Sequence, residues 1–588
     1  MPFQVSPGVS VVETDLTTIV PTISTTAAGF VGDFGWGPAS EVLTISSENE
    51  LREEYGDPDD NNFSWWFSAA NFLRYGSNLQ VIRAVNSGAK NAGVTNSDPG
   101  SDVSLKAWPI DDQLDSATGS LNNGAGTAPF VSRYPGSIGN NLAIAILDGI
   151  GNSGETLSDF KFGSFLREKP DTSARAAERT GITTGFGDEL SIVVYDNTGF
   201  FTGEKNTPLE IYEGVSKAFD AKKDDGTSNY YRTVINNSSA YILASKATAP
   251  AGGESGTNSE QSIQDVYGGN SAAKFEDFFG GLSSGFAFTG GTAAAPTPGN
   301  IKTAYEDFFS NSETQDVSLI IAGPNDSTVR NAIVDIAETR KDCVAFLSPD
   351  LNDVLGIAES QKADAVIESR NEITTKSSYA VMDSGWKYQY DPYNDKFRYV
   401  PLNADIAGLC ARTDTIAEPW FSPAGFNRGS IRNVIKLAYS PDKADRDKLY
   451  VKGINPVVSF TGEGIVLFGD KTMQAKPSAF DRINVRRLFN ILEKSIATAA
   501  KFSLFEFNDE FTRAAFRNLV EPFLRDVQAR RGIFDFKVVC DETNNTPLVI
   551  DKNEFRADIF VKPARSINFI TLNFVASPTG VDFDEIGG

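Results

Sequence analysis

Five arginines, Arg513, Arg517, Arg525, Arg530 and Arg531, crowd one short stretch of this sequence. Guanidinium groups at that density suit binding to carboxylates or phosphates. Other groupings have the outline of a site without its contents. Gly323-Pro-Asn-Asp-Ser-Thr328 follows an apolar run and precedes a helical one, where a phosphate loop would sit. It lacks the Lys of GxxxxGK[ST] and the spacing of GxGxxG, so it predicts a turn with a helix N-cap. Asp391 and Asp395, among aromatics, could imitate a carboxylate pair or a calcium loop. The EF-hand alternation and its terminal Glu are missing, and a hairpin turn between two aromatic strands is the better reading. Cys343, Cys410 and Cys540 are too dispersed for a disulfide framework or a zinc site, and are expected as buried thiols. There is no histidine at all. Ser-His-Asp and Cys-His catalysis and most catalytic zinc sites are thereby excluded. The expectation is a non-enzyme with no cofactor.

The elements that must carry these residues form several bodies. A chain of 588 residues is too long for one core, since single cores stop growing near ~250–300 residues, and three or four domains are expected. The formal charge is −24. Residues 471–565 hold 17 Lys+Arg against 13 Asp+Glu, a net +4, which leaves −28 on the rest. An acidic bulk argues against wrapping nucleic acid directly. No apolar run is long enough for a transmembrane helix, and the first residues lack the basic flank and apolar stretch of a signal peptide. The expectation is assembly in a cytoplasm, without membrane insertion.

Residues 1–25, with alternation at Val5, Val9 and Val11, read as an extended arm. Ser47 with Glu50 reads as a capping box, and 62–75 as a helix. Gly, Asn and Ser turns around short strands from about 100 to 184 predict a small inserted β-rich domain. Pro208 to Phe219 reads as an amphipathic helix, and 246–300 as a long irregular surface loop. Between 301 and 385 strands and helices alternate, which predicts a parallel or mixed α/β sheet. Helices are expected over 478–503 and 509–531, with Pro522 kinking the second or starting a new one. The spacing of Arg513, Arg517 and Arg525 is read as one stripe. The terminal run Ile567-Asn-Phe-Ile-Thr-Leu-Asn-Phe574 is apolar on both faces, with Ile567 and Phe569 against Ile570, Leu572 and Phe574. Such a strand must be covered on both sides, and another subunit can supply the cover by strand addition.

That run, with Lys562-Pro-Ala-Arg565 before it, resembles the C-terminal end of the tail sheath proteins of contractile-tailed phages. The likeness extends through Phe534-Asp-Phe-Lys-Val-Val-Cys-Asp-Glu-Thr-Asn-Asn-Thr546 and Val549-Ile-Asp-Lys-Asn-Glu-Phe555. Upstream it includes Pro7-Gly8-Val9, Arg133-Tyr-Pro-Gly-Ser-Ile-Gly-Asn-Asn-Leu142 and Asp188-Glu-Leu-Ser-Ile-Val-Val-Tyr-Asp196. The resemblance implies an α+β multidomain chain: an N-terminal arm (1–25), a discontinuous α/β core (26–100 and 185–475) and an inserted outer β domain (101–184). A C-terminal α+β domain facing a tube (476–565) and a strand arm with an acidic tail (566–588) complete it. The middle region is subtilisin-like in fold in that family, here without a triad. It also implies a helical stack of rings, read as hexameric, around a tail tube, with baseplate and tail terminator proteins as further partners. Contraction would drive the tube through a host envelope during genome delivery. In this reading Val5, Val9, Val11, Ile567, Phe569, Ile570, Leu572 and Phe574 are inter-subunit strand residues, and the five arginines face the tube. Alternatives are the sheath of a non-phage injection system and, further off, a virion adhesin or decoration protein.

Overall fold

A computed structural model describes residues 25–39, 41–86, 88–94, 130–149, 156–185, 187–244 and 285–568. Its largest element is a seven-stranded sheet assembled from distant parts of the chain. In spatial order the strands are Ile454–Asn455, Ala380–Asp383, Val344–Leu347, Leu319–Ile321, Ala28–Gly32, Leu79–Arg83 and Leu43–Ile45. All pairings are parallel except the last. The central strands are buried along their whole length, because helices cover both faces. Alternate residues divide between two cores. Phe30, Leu319, Ile321 and Phe346 pack under helices Phe63–Leu73 and Asn403–Ile416. Val31, Ile320, Ala345 and Met382 pack under Pro298–Phe309, Ser327–Arg340 and Glu359–Asn371. Gly29 is where a helix meets the sheet most closely: a Cβ there would sit 2.8 Å from the Phe309 ring.

The alternation expected over 301–385 is therefore real, and its punctuation is chemical. Asp326 caps Ser327–Arg340 by accepting from the Val329 N–H, and Gly323 (φ +65°) makes the turn ahead of it. Asn403 holds that turn from both sides, accepting from the Gly323 N–H and donating to its carbonyl. Ser47 caps Glu48–Tyr55, while the Glu50 carboxylate reaches the Ser46 N–H, one residue beyond a standard box. Asp391 and Asp395 lie at a tight turn between strands Trp386–Asp391 and Lys396–Pro401, as the hairpin reading expects.

The inserted unit is larger than the sequence reading placed it. Strand Glu189–Asp196 pairs antiparallel with Leu142–Asp148 along its whole length, so residues from 189 to 244 belong with the insertion and not with the core. Thr207–Ser216, read as a helix, is a strand on the other side of Glu189–Asp196. The error has a physical source. A bulge places Glu213 and Gly214 (φ +63°) opposite Ser191, so Tyr212 and Val215 are both buried three residues apart and mimic a helical face. The expected loop 246–300 lies partly outside the described residues, but Phe286–Ala287 is an edge strand on Leu142–Asp148 and Phe288 is buried. Arg83, itself buried, ties insertion to core by donating to the carbonyls of Phe34, Gly35, Gly37 and Pro135.

The C-terminal unit comprises helices Ile483–Ala500 and Glu510–Ala529 and the hairpin Ile533–Val539 with Asp558–Pro563. Pro522 neither ends nor restarts the second helix, since Phe516 and Val520 before it and Leu524 and Val527 after it pack into one cluster. Trp420, from the segment leading in, completes that cluster and donates through Nε1 to the Arg530 carbonyl.

Candidate assembly surface

The hairpin is a sheet of two strands, and among the described residues neither outer edge has a strand partner, although the Phe534 carbonyl accepts from Gln528 Nε2. Phe536, Val538, Ile559 and Val561 point inward against Leu488, Leu492 and Phe516. Phe534 (71% exposed) and Phe560 (59%) point outward. Open edges with exposed aromatics form a template for added strands. A second apolar surface lies on the connection between the two helices, where Phe502, Leu504, Phe505, Phe507 and Phe511 are all exposed. The sequence reading passed over residues 501–507, although Lys501-Phe-Ser-Leu-Phe-Glu-Phe507 is aromatic-rich at a point where the helical period stops. The helical period over 509–531 has Phe511 buried, which the structure corrects. A contiguous exposed patch of this kind marks a contact site for another protein.

Two ion pairs tie this unit to the core beside the two arm roots. At the N-terminal side Arg487 grips Asp414 with both terminal nitrogens (2.8 and 2.6 Å), and Thr25 donates its hydroxyl to the same carboxylate. At the C-terminal side Arg482 donates to Asp470 Oδ1 (2.9 Å), and Ser566 Oγ donates to Asp470 Oδ2 (2.7 Å). Asn568 Nδ2 donates to the Tyr450 hydroxyl (2.8 Å) and to Asp470 Oδ1 (3.3 Å). Burial alone would raise the Asp470 pKa; the donors from Ser566, Arg482 and Asn568 outweigh it and hold the carboxyl below its ordinary range. The cysteines are buried, and burial pushes the Cys343 and Cys410 thiols up to about 12.

Of the expected strand residues, Ile567 lies just past the Asp470 contact and is 82% exposed. Val5, Val9, Val11, Phe569, Ile570, Leu572 and Phe574 lie outside the described residues. The arginines do not form one stripe. Positions 513 and 525 are roughly 120° apart around a helix of 3.6 residues per turn. Arg513 is buried and donates to the Asn508 carbonyl and side chain, and Arg517 is partly buried and donates to the Cys540 carbonyl. Both hold their own domain together. Arg525, paired at 3.4 Å with Glu521, and Arg530 and Arg531 face outward.

The phage tail sheath central-domain family matches residues 299–473, and the phage tail sheath C-terminal domain family matches residues 475–577. The chain is 37% identical to the tail sheath protein of Enterobacteria phage T4, over 99% of both sequences. It is 35% identical to the tail sheath protein of Vibrio phage KVP40, again over 99% of both. Among solved structures, the sheath tail protein of Listeria innocua superposes with a TM-score of 0.51 at 12% identity, covering 92% of this chain and 96% of that one.

Proposed function

From the premise that this chain belongs to the phage tail sheath family and is a contractile tail sheath subunit of the virion, we propose that its hairpin receives strands from neighbouring copies. Residues 1–25 and about 566–580 are the arms that supply them, through Val5, Val9 and Val11 at one end and Ile567 to Phe574 at the other. The observation carrying this reading is the hairpin with both edges open. Its support is the pair of anchors at Thr25 and Ser566, which fix both arm roots to the same domain. Each main-chain hydrogen bond so formed contributes roughly 0.5–1.5 kcal/mol net. A strand of several residues is thus strong enough to hold a polymer and supple enough to survive a change of packing.

The subunits then stack as rings, read as hexameric, around a tail tube, with baseplate and terminator proteins at the two ends. Contraction exchanges one packing of rigid bodies for another while the arms stay joined, and drives the tube through the host envelope. Arg525, Arg530 and the aromatic connection 502–511 are the surface offered to the tube. Assembly takes place in the host cytoplasm, and the chain works without catalysis or cofactor. The mostly parallel, doubly covered sheet supports the subtilisin-like reading of the core, and its fold carries no subtilisin function.

Deleting residues 1–20 tests the proposal. The truncated chain should fold, remain a small particle in negative-stain electron microscopy, and fail to form tubes under conditions where the full chain does. Tubes from the truncated chain would overturn strand exchange by the N-terminal arm.

A further inference from the structure

A cleft of about 880 Å³ opens where the C-terminal unit meets the core, bordered by Trp420, Tyr450, Phe468 and the departing segment from Ala564 to Asn568. Its charge is out of keeping with the chain. Arg428, Lys443, Arg446, Arg531 and Arg565 line it, against two carboxylates, Asp447 and Asp470. Asp470 is already engaged by Arg482, Ser566 and Asn568. Among the described residues, none of the five cations has a carboxylate within ion-pair distance; Arg428 and Arg446 donate instead to the carbonyls of Ser422 and Pro441. Five cations without a carboxylate partner among the described residues, in one cleft of a chain with a net charge of −24, form a local field that favours an acidic partner. Asn484 adds an independent sign. It lines the cleft, is 4% exposed, and donates to the carbonyls of Trp420 and Ala564, yet among the described residues its Oδ1 has no hydrogen-bond partner. A buried amide oxygen left without a donor is costly, and a peptide N–H would satisfy it.

We propose that this cleft binds the acidic end of a second copy of the chain, Asp582-Phe-Asp-Glu585. The 23 residues after Arg565 contain three carboxylate side chains, all in this segment, and no Lys or Arg. The assignment rests on the strand-exchange reading, and the direction of the hairpin supports it. Ile533–Val539 starts beside Arg531 and Asp558–Pro563 ends at Ala564, so both strands have the same end at the cleft. A neighbour's arm running parallel to Asp558–Pro563, or antiparallel to Ile533–Val539, travels toward the cleft. In that direction, residues 566–580 on an edge lead residues 581–588 to the five cations, and the proposal commits to it. The contact works as an electrostatic clasp that closes only behind a correctly registered strand.

The test uses the full chain with its own tail neutralised (Asp582→Asn, Asp584→Asn, Glu585→Gln), so that the cleft is free. A fluorescent peptide of residues 577–588 is titrated against it by anisotropy. Binding should occur, weaken with salt, and fall about tenfold or more when Arg531→Glu and Arg565→Glu are added. A peptide with lysines at 582, 584 and 585 should recover affinity for that charge-reversed cleft. No binding, or equal affinity for the two receptors, would overturn the proposal. So would purified tail tube protein binding at these cations in place of the peptide. A second peptide, residues 566–576, reports on strand exchange separately: it carries no charge and should bind both receptors alike. Its failure would strike the strand-exchange reading while leaving the cleft measurement intact.

Discussion

The seven-stranded core sheet and the two-stranded C-terminal hairpin solve opposite problems with the same bonds. In the core sheet, strands such as Ala28–Gly32 and Val344–Leu347 are buried on both faces and paired on both sides. In the hairpin, each strand has one strand partner among the described residues, and Phe534 and Phe560 face outward. A closed sheet places its binding energy in the monomer. An open one keeps its edge hydrogen bonds and apolar area for another chain, at the risk of nonspecific aggregation. A subunit that must stay soluble and then polymerise needs both arrangements, and the charge of −24 guards the second.

Substitutions at matched positions should separate the two roles. Trp66→Ala, in the core under the sheet, should cost about 3–5 kcal/mol and lower the midpoint of the core unfolding transition in calorimetry. Phe534→Ser with Phe560→Ser should move monomer stability by less than about 0.5 kcal/mol, yet abolish tube formation; unchanged tubes would refute the role given to the hairpin. Asp470→Asn removes a buried ion-pair partner and should cost about 1–3 kcal/mol, seen as faster hydrogen exchange around residues 564–568. The same anchor predicts a pH dependence. The folded pKa of Asp470 lies below its unfolded value near 3.8, so its contribution is present above that pH and is lost as pH falls through the lower folded value.

A finer division runs among the arginines. Arg513→Ala should destabilise the C-terminal unit by about 1–3 kcal/mol by stripping Asn508 of its partner. Arg525→Ala should cost under about 0.5 kcal/mol and act only on assembly with the tube. A pH effect of the opposite sign concerns Asp383, whose carboxyl burial pushes up to about 8 against the hydrogen bonds from Ser348 and the Gly385 N–H. Because its folded value exceeds the unfolded 3.8, the folded state binds the proton more tightly, and core stability should decline as pH rises from about 4 to about 8. Asp383→Asn should flatten that slope in thermal melts.

The parts of the fold legible in the sequence are those set by local rules. Apolar runs at 319–322 and 343–347 announced buried parallel strands, and Asp326 and Ser47 announced helix starts. The strand Thr207–Ser216 was not legible, because its bulge shifts the burial period away from two and tertiary pairing then overrides the pattern. The limits of the insertion were hidden for a related reason: Glu189–Asp196 is apolar enough for either sheet, and only its partner decides. In the assembly surface, of the terminal run only Ile567 lies within the described residues, exposed just past the Asp470 contact. The anchors could not be read from the sequence, since Ser566 and Asp470 are 96 residues apart and Thr25 and Asp414 are 389 apart. The arginine stripe failed because spacing gives an angle around the helix and says nothing of which groups Asn508 and Cys540 offer on its inner side.

The anchoring arginines, Arg482 and Arg487, bracket the first turn of a single helix, Ile483–Ala500, about 7.5 Å apart along its axis. A pull on the C-terminal arm arrives through Asp470 at Arg482, and a pull on the N-terminal arm arrives through Thr25 and Asp414 at Arg487. In the strand-exchange reading, the pulls of two neighbours meet within little more than one turn of this helix. The core sheet shares that load, because Asp414 sits on helix Asn403–Ile416 beneath it and Thr25 runs directly into strand Ala28–Gly32.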